Sequence, residues 1–313
     1  MSSPVNIMIL CNNEMAIPAM QQLYQNGSLQ CVVVPEKNTA LFSLLQQMLT
    51  GTGVTILSVN KKTLEHSIRK IAAEKNITTA WLMTFAYILP KSLLHLLAGG
   101  FINFHYGLLP KYRGANPVLA QMLNGEIESG ITIHVVDEHI DTGPIVMQQK
   151  INIEEGDTFG MQLQKLGMLG ASMAIKLLQV CRLHPVPPAL PQNESQAMYF
   201  KKPVAADLMI NWKTMSSKQV IRLINACNPW NKGAGTLING IGLCLTAAVT
   251  THDNLTGNIP AGTIVGLDAQ EGLKIYCLDD VIIKISIFYT PEGFFTGEML
   301  LFYGIKRGDI FIS

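Results

Sequence analysis

The run FINFH ends in two polar residues, Asn103 and His105, just before a loop rich in Gly and Pro that extends to Pro117. Alternate side chains of a strand share a face, so an amide and an imidazole are expected to project together from this strand end. Further on, ITIHVVDEHIDTGPI passes from apolar residues into an acidic loop holding Asp137, Glu138 and Asp141, which Thr142, Gly143 and Pro144 turn back into IVMQQKINI. An amide, an imidazole and a carboxylate in one crevice suit acyl chemistry. The first two donate to an oxyanion, and a coupled His/Asp pair moves protons.

The elements that must carry these residues alternate in the first 180 positions. Short β-rich runs (VNIMIL, LQCVVVP, VTILSV, TTAWLMTF, GFINFH) are separated by stretches of helical spacing such as ALFSLLQQML and LEHSIRKIAAEK. The pattern predicts an α/β fold with a Rossmann-like parallel sheet, and in an open sheet of this kind ligands bind beyond the carboxyl ends of the strands. HPVPPALPQNESQ, with four prolines, reads as an extended connector. The expected organisation is therefore a catalytic domain over 1–183, a linker over 184–206 and a C-terminal domain over 207–313. KQVIRLINAC in the last part is a predicted helix. GTLING, LCLTAAVT, GTIVGL, LKIYCL, VIIKISIFY and LLFYGI are predicted strands of a small OB-like barrel.

Composition and motifs remove several classes. With 48% hydrophobic and 14% charged residues, the chain can bury more than one core, and disorder is not expected. A net charge of +1 gives no basic field for nucleic acid. The first βα turn, CNNEMAIPAM, lacks the glycines that let a backbone approach a pyrophosphate, and neither a P-loop nor a G-x-S-x-G elbow occurs. The six cysteines have no metal-like spacing and read as buried thiols. His134 and His139 come to mind as metal ligands, but His134 lies within a strand and no third ligand is suitably spaced, so no metal is expected. Trp230 is expected to pack within the second domain. MSSPVNIMIL has no signal-peptide pattern, and no apolar run approaches the roughly 18 residues of a membrane span, so a cytoplasmic location is expected.

Asn103-x-His105, LLPKYRG and DEHIDTG, taken in order, resemble the signature of the folate-dependent formyltransferases. ILCNNEMAIPAM, TFAYILP, QNESQAMYFKKP and INWKTMSSKQVIRLINACNPWNKGAGT extend the likeness through most of the chain and into the C-terminal domain of the two-domain members. The resemblance implies a formyl group transferred from 10-formyltetrahydrofolate to a primary amine through a tetrahedral oxyanion, without metal. It implies that Asn103 and His105 hydrogen-bond the oxyanion and that Asp141 keeps the imidazole charged or helps carry the amine's proton away. It also implies that the pterin lies between Tyr87, Ile88 and Leu89 on one side and Asp137, His139 and Ile140 on the other. Lys111, Tyr112 and Arg113 are candidate contacts to the acceptor, a solvated loop being the alternative.

Three features bear on which amine is formylated. Residues 207–313 carry 8 Lys+Arg against 9 Asp+Glu, a net −1, whereas tRNA affinity depends on neutralising phosphates. PEKNTALFSLL is short and lacks the basic, Gly-rich insertion of the tRNA-directed members. His105 is followed by Tyr106-Gly107, where those members carry Gly-Ser. A small or carrier-bound amine, such as a sugar-nucleotide amine, is favoured, and tRNA is disfavoured. A formyltetrahydrofolate hydrolase, with water as acceptor, and a folate-binding module without catalysis are the other classes.

Overall fold

A computed structural model describes residues 4–253, 255, 257–270 and 272–312. The chain divides into two compact units: the first comprises residues 1–117, 128–152 and 163–200, and the second 118–127, 153–162 and 201–313. The units are thus interleaved in sequence, unlike the contiguous boundaries expected from the proline pattern. Residues 184–200, expected as a connector, pack with the first unit.

The first unit is built on a seven-stranded sheet. Strands β1 (Ile7–Cys11), β2 (Leu29–Pro35), β3 (Thr55–Val59), β4 (Thr79–Met83) and β5 (Phe101–His105) pair in the order β3-β2-β1-β4-β5, all parallel. β6 (Arg113–Gly114) is a two-residue strand outside this sheet. β7 (Glu128–Val135) then pairs antiparallel with β5, and β8 (Ile145–Asn152) antiparallel with β7. The expected parallel sheet therefore holds for five strands; β7 alone runs against them, and the tight turn at Thr142–Pro144 returns the chain as β8 in the direction of β5. β9 (Tyr199–Phe200) pairs with β6.

β1 and β4 are buried at every position, as strands covered on both faces must be. Helices α1 (Ile17–Gln25), α2 (Thr39–Leu49) and α3 (Leu64–Glu74) connect the parallel strands. Asn38 caps α2 by accepting from the Leu41 N–H, and α3 buries Leu64, Ile68, Ile71 and Ala72 against a core that includes Met8, Leu10, Val33 and Leu82. α4 (Pro117–Asn124), for which the sequence pattern carries no expectation, starts where the Gly/Pro loop ends. α5 (Phe159–Leu183) amends the membrane expectation: its 25 residues are long and apolar enough, by length and composition, to span a bilayer, yet 56% of its most apolar window is buried within the structure. Core helices pass the same test.

In the second unit, α6 (Ser217–Ala226) starts with a capping box, Ser216 and Gln219 bonding each other's main-chain N–H groups, and buries Val220, Leu223 and Ile224. The sheet comprises β10 (Ala234–Ile238), β11 (Ile241–Thr250), β12 (Ile264–Asp268), β13 (Gly272–Tyr276), β14 (Ile282–Thr290) and β15 (Gly293–Thr296). It runs antiparallel in the order β10-β11-β14-β13-β12, with β15 on β14. Ile310 bridges Thr263 beside β12 while Ile312 bridges Leu237 in β10, so the chain end links the two outer strands and closes the sheet on itself. LLFYGI is not a strand: it falls in a 3-10 turn over Gly297–Tyr303, and the pairing strand is the preceding GFFT. Trp230 is half exposed, its Nε1 donating to Ala226 O and its ring edge-on to Phe159.

Candidate functional site

β5 delivers Asn103 and His105 to the carboxyl end of the parallel sheet, as alternation requires. The antiparallel partner β7 sets His134 directly opposite Asn103, and Thr132 opposite His105. Directly opposed residues share a face, so the pairing of β5 with β7 gathers four polar side chains in one patch. Asp141 arrives from the loop between β7 and β8, where the expected acidic turn is closed by Asp137. The Asp137 carboxylate accepts from Thr142 Oγ1 at 2.7 and 2.9 Å and from the His139 N–H at 3.1 Å.

Asp141 is the point of convergence. Its Oδ1 lies 3.4 Å from His105 Nδ1, 3.5 Å from Asn103 Nδ2 and 3.7 Å from His134 Nε2, while Oδ2 accepts the Gly114 N–H at 2.9 Å. The side-chain distances sit at the long end of the hydrogen-bond range or beyond it. Burial alone would raise the Asp141 carboxyl. Contacts with His105 and His134, the charge of His105 and the Gly114 N–H outweigh it and hold the carboxyl well below the usual carboxylate range.

The ring nitrogens can be assigned roles from their partners. His105 Nε2 is 2.6 Å from Tyr112 O, a carbonyl that only accepts, so that nitrogen donates and Nδ1 is the one presented to Asp141. His134 Nδ1 likewise faces Val135 O at 2.9 Å, which leaves Nε2 to accept from Asn103 Nδ2 at 3.1 Å. One amide N–H of Asn103 is thereby committed. The other has only the 3.5 Å contact to Asp141.

The loop after β5 is pinned from below. Thr132 Oγ1 donates to Gly107 O at 2.6 Å and accepts from the Leu109 N–H at 3.1 Å, and Gln148 Nε2 donates to both Thr132 Oγ1 and Leu109 O. This places the Tyr112 carbonyl on His105. His134, Thr132 and Gln148 are thus site residues that the sequence reading did not assign. For Thr132 and His134 the only sequence signal is polarity inside a mostly apolar run, Gln148 lies in a mixed strand without one, and the register that brings them together is not visible in the sequence.

The loop positions expected to flank a flat ring lie on two segments that touch. Lys91, just past Tyr87–Leu89, forms an ion pair with Glu138, beside Asp137 and His139. Ile88 and Ile140 are exposed large apolar side chains, one on each segment. Tyr87 packs edge-on to Phe85, and Leu89 is in the core.

Of the three candidate acceptor contacts, Lys111 is exposed. Tyr112 and Arg113 correct the expectation. Tyr112 is buried and stacked on Phe200 with ring centroids 4.8 Å apart, and Arg113 is 1% exposed and bonded to Glu194, Gln192 and Tyr199. Both side chains are buried and engaged within the protein rather than exposed beside Lys111. Among the described residues, no group of three or more His, Cys, Asp or Glu is arranged to hold a metal ion.

Residues 9–177 match the formyl transferase family, and residues 204–292 match the formyl transferase C-terminal domain. The chain belongs to the formyl transferase family. Such an enzyme transfers formyl groups, the acyl chemistry for which this cluster is suited. This formyl transferase is 28% identical to methionyl-tRNA formyltransferase of Halothermothrix orenii across 97% of this chain and 99% of that one. It is 33% identical to methionyl-tRNA formyltransferase of Nitrosospira multiformis across 82% and 79%. Its fold is similar to that of an N-formyltransferase from Helicobacter canadensis solved with folinic acid and dTDP-3-aminofucose, with TM-score 0.65, 19% identity, and coverage of 90% and 98%.

Proposed function

We propose that this formyl transferase moves the formyl group of 10-formyltetrahydrofolate, its co-substrate, onto a small or carrier-bound primary amine, with Asn103, His105 and Asp141 as its catalytic residues. The observation that carries the reading is the convergence of the Asn103 amide and the His105 imidazole on one carboxylate oxygen of Asp141 at the carboxyl end of β5. The neutral amine attacks the formyl carbon, and the carbonyl oxygen takes the charge. The free Asn103 N–H and the His105 ring stabilise that oxygen, and Asp141 stabilises the charged ring or takes the amine's proton. Collapse breaks the bond from carbon to the folate nitrogen, which leaves protonated. The exposed Ile88 and Ile140, on segments joined by the Lys91–Glu138 pair, fit a flat pterin, with main-chain groups of Tyr87–Leu89 and of Asp137, His139 and Ile140 as its polar contacts.

A small acceptor is favoured by the direct connection between β2, ending at Pro35, and α2, beginning at Thr39, which leaves no insertion to reach a tRNA acceptor arm. Methionyl-tRNA is the second reading, favoured by relatives that align along the whole chain. The six unpaired cysteines accord with a reducing, cytoplasmic setting.

The deciding experiment supplies 10-formyltetrahydrofolate with initiator methionyl-tRNA, aminodeoxy nucleotide sugars or carrier-loaded amino acids in parallel. Transfer to an amino sugar or carrier-bound amine at least tenfold more efficient than to tRNA is expected. Preferred transfer to tRNA overturns the acceptor assignment, and formate release without any amine identifies a hydrolase.

A further inference from the structure

Gln192 lies in the segment that the sequence reading took for a connector, and it is bonded on both sides. Its Nε2 donates to the main-chain carbonyls of Asp141 at 2.9 Å and Gly143 at 2.8 Å. Its Oε1 accepts from Arg113 Nη2 at 2.8 Å and Nε at 3.2 Å. Arg113 is itself held by a two-pronged pair with Glu194, at 2.6 and 2.9 Å, and by Tyr199 Oη at 3.0 Å. Gly114, the next residue, gives its N–H to the Asp141 carboxylate. The result is a closed circuit: Asp141 carboxylate to Gly114, Gly114 through the chain to Arg113, Arg113 to Gln192, and Gln192 back to the Asp141 carbonyl.

Two main-chain attachments keep the segment in place. Ile145 and Leu190 exchange N–H to carbonyl bonds at 2.7 and 2.9 Å, and β6 pairs with β9. Asp141 needs such support because its φ is +58°, a left-handed conformation that persists for a non-glycine residue only when its surroundings dictate it. The charges are complementary to the task. The buried guanidinium polarises the Gln192 amide through its oxygen, which strengthens the two N–H donors aimed at the loop carbonyls.

We propose that Gln192, oriented by Arg113 and Glu194, is a positioning residue that holds Asp141 in register with His105. This rests on the reading of Asp141 as catalytic. Gln192→Glu keeps the acceptor for Arg113 and loses both donors, and Gln192→Ala loses both functions. In the full chain, both variants are expected to lower kcat by about 10- to 100-fold, since small misplacements of reacting groups carry that penalty. KM for 10-formyltetrahydrofolate and the dissociation constant of 5-formyltetrahydrofolate are expected to stay near wild type. In an Asp141→Asn background, Gln192→Ala is expected to cause no further loss, because the two act as one unit. Without any acceptor, hydrogen exchange of the peptide spanning Asp141–Ile145 is expected to quicken in both variants while β1 and β4 stay protected.

Wild-type exchange in that peptide, or an undiminished loss in the Asp141→Asn background, overturns the proposal. Turnover lost in Asp141→Asn but retained in both Gln192 variants overturns it while leaving the catalytic reading intact. Full turnover of Asp141→Asn overturns that reading and the proposal with it.

Discussion

Asn103 and His134 face each other across the antiparallel pair of β5 and β7, with Nδ2 of one 3.1 Å from Nε2 of the other. The amide proposed as the oxyanion donor is thus oriented by a histidine whose remaining nitrogen is fixed on its own strand's main chain. This makes His134 a test of how far orientation, as distinct from presence, of Asn103 matters. His134→Ala should lower kcat about 5- to 150-fold, in line with the roughly 1–3 kcal/mol of leaving a buried polar partner unsatisfied. The check is steady-state formyl transfer, and unchanged kcat in a folded variant would contradict the arrangement.

Removing the donor itself is more severe. Asn103→Ala is expected to reduce turnover about 100- to 1,000-fold, the usual cost of one oxyanion donor. Titration with 5-formyltetrahydrofolate should show near-normal affinity. Near-normal turnover would remove Asn103 from the mechanism.

The Asp141 carboxyl is held below its ordinary value in the folded protein, so it stabilises the fold at pH values above the unfolded carboxyl pKa of about 4. That contribution is lost as pH falls through the folded value. Urea unfolding of the wild type and Asp141→Asn on the acid side of about pH 5 should therefore show a stability gap that narrows as the pH falls. A gap that widens toward acid would mean the carboxyl is raised instead.

Gly143 tolerates no side chain where it stands. A Cβ built there meets Val135 O at 1.7 Å, so Gly143→Ala forces the Asp141 loop to move. Gly114 has φ +116° and would set a Cβ 2.2 Å from Phe200 O. Each alanine variant is expected to reduce kcat more than about tenfold, as displaced catalytic groups do. Stopped or steady-state assays of either variant at wild-type rate would show that the loop adjusts freely.

In the second unit, Trp212 is 2% exposed, tilted against Phe311, and donates through Nε1 to Thr236 Oγ1. Trp212→Ala should cost about 3–5 kcal/mol, the usual range for truncating a buried aromatic. Calorimetry is the measurement, and a Tm unchanged from wild type would contradict its place in that core.

The sequence by itself determined a good deal. Alternating apolar and helical runs fixed the five parallel strands and their helices, because burial on both faces demands continuous apolar strands such as VNIMIL. The period of two put Asn103 and His105 on one face. The DEHIDTG segment announced the acidic turn, because Asp, Thr, Gly and Pro each favour it locally. These are all effects of neighbouring residues, and neighbours are what a sequence displays.

What only the tertiary structure decided is how distant segments pair. LLFYGI and GFFT are both apolar and aromatic, and only packing against β14 made a strand of the second and a 3-10 turn of the first. The reversal of β7, the pairing that brings His134 to Asn103, and the burial of Arg113 beneath Glu194 and Gln192 follow from contacts between residues 31 to 81 positions apart. A register shift of one residue would turn His134 to the other face with no change in local pattern. Closure of such contacts depends on the summed packing of the whole unit, so the cluster around Asp141 exists only in the folded chain.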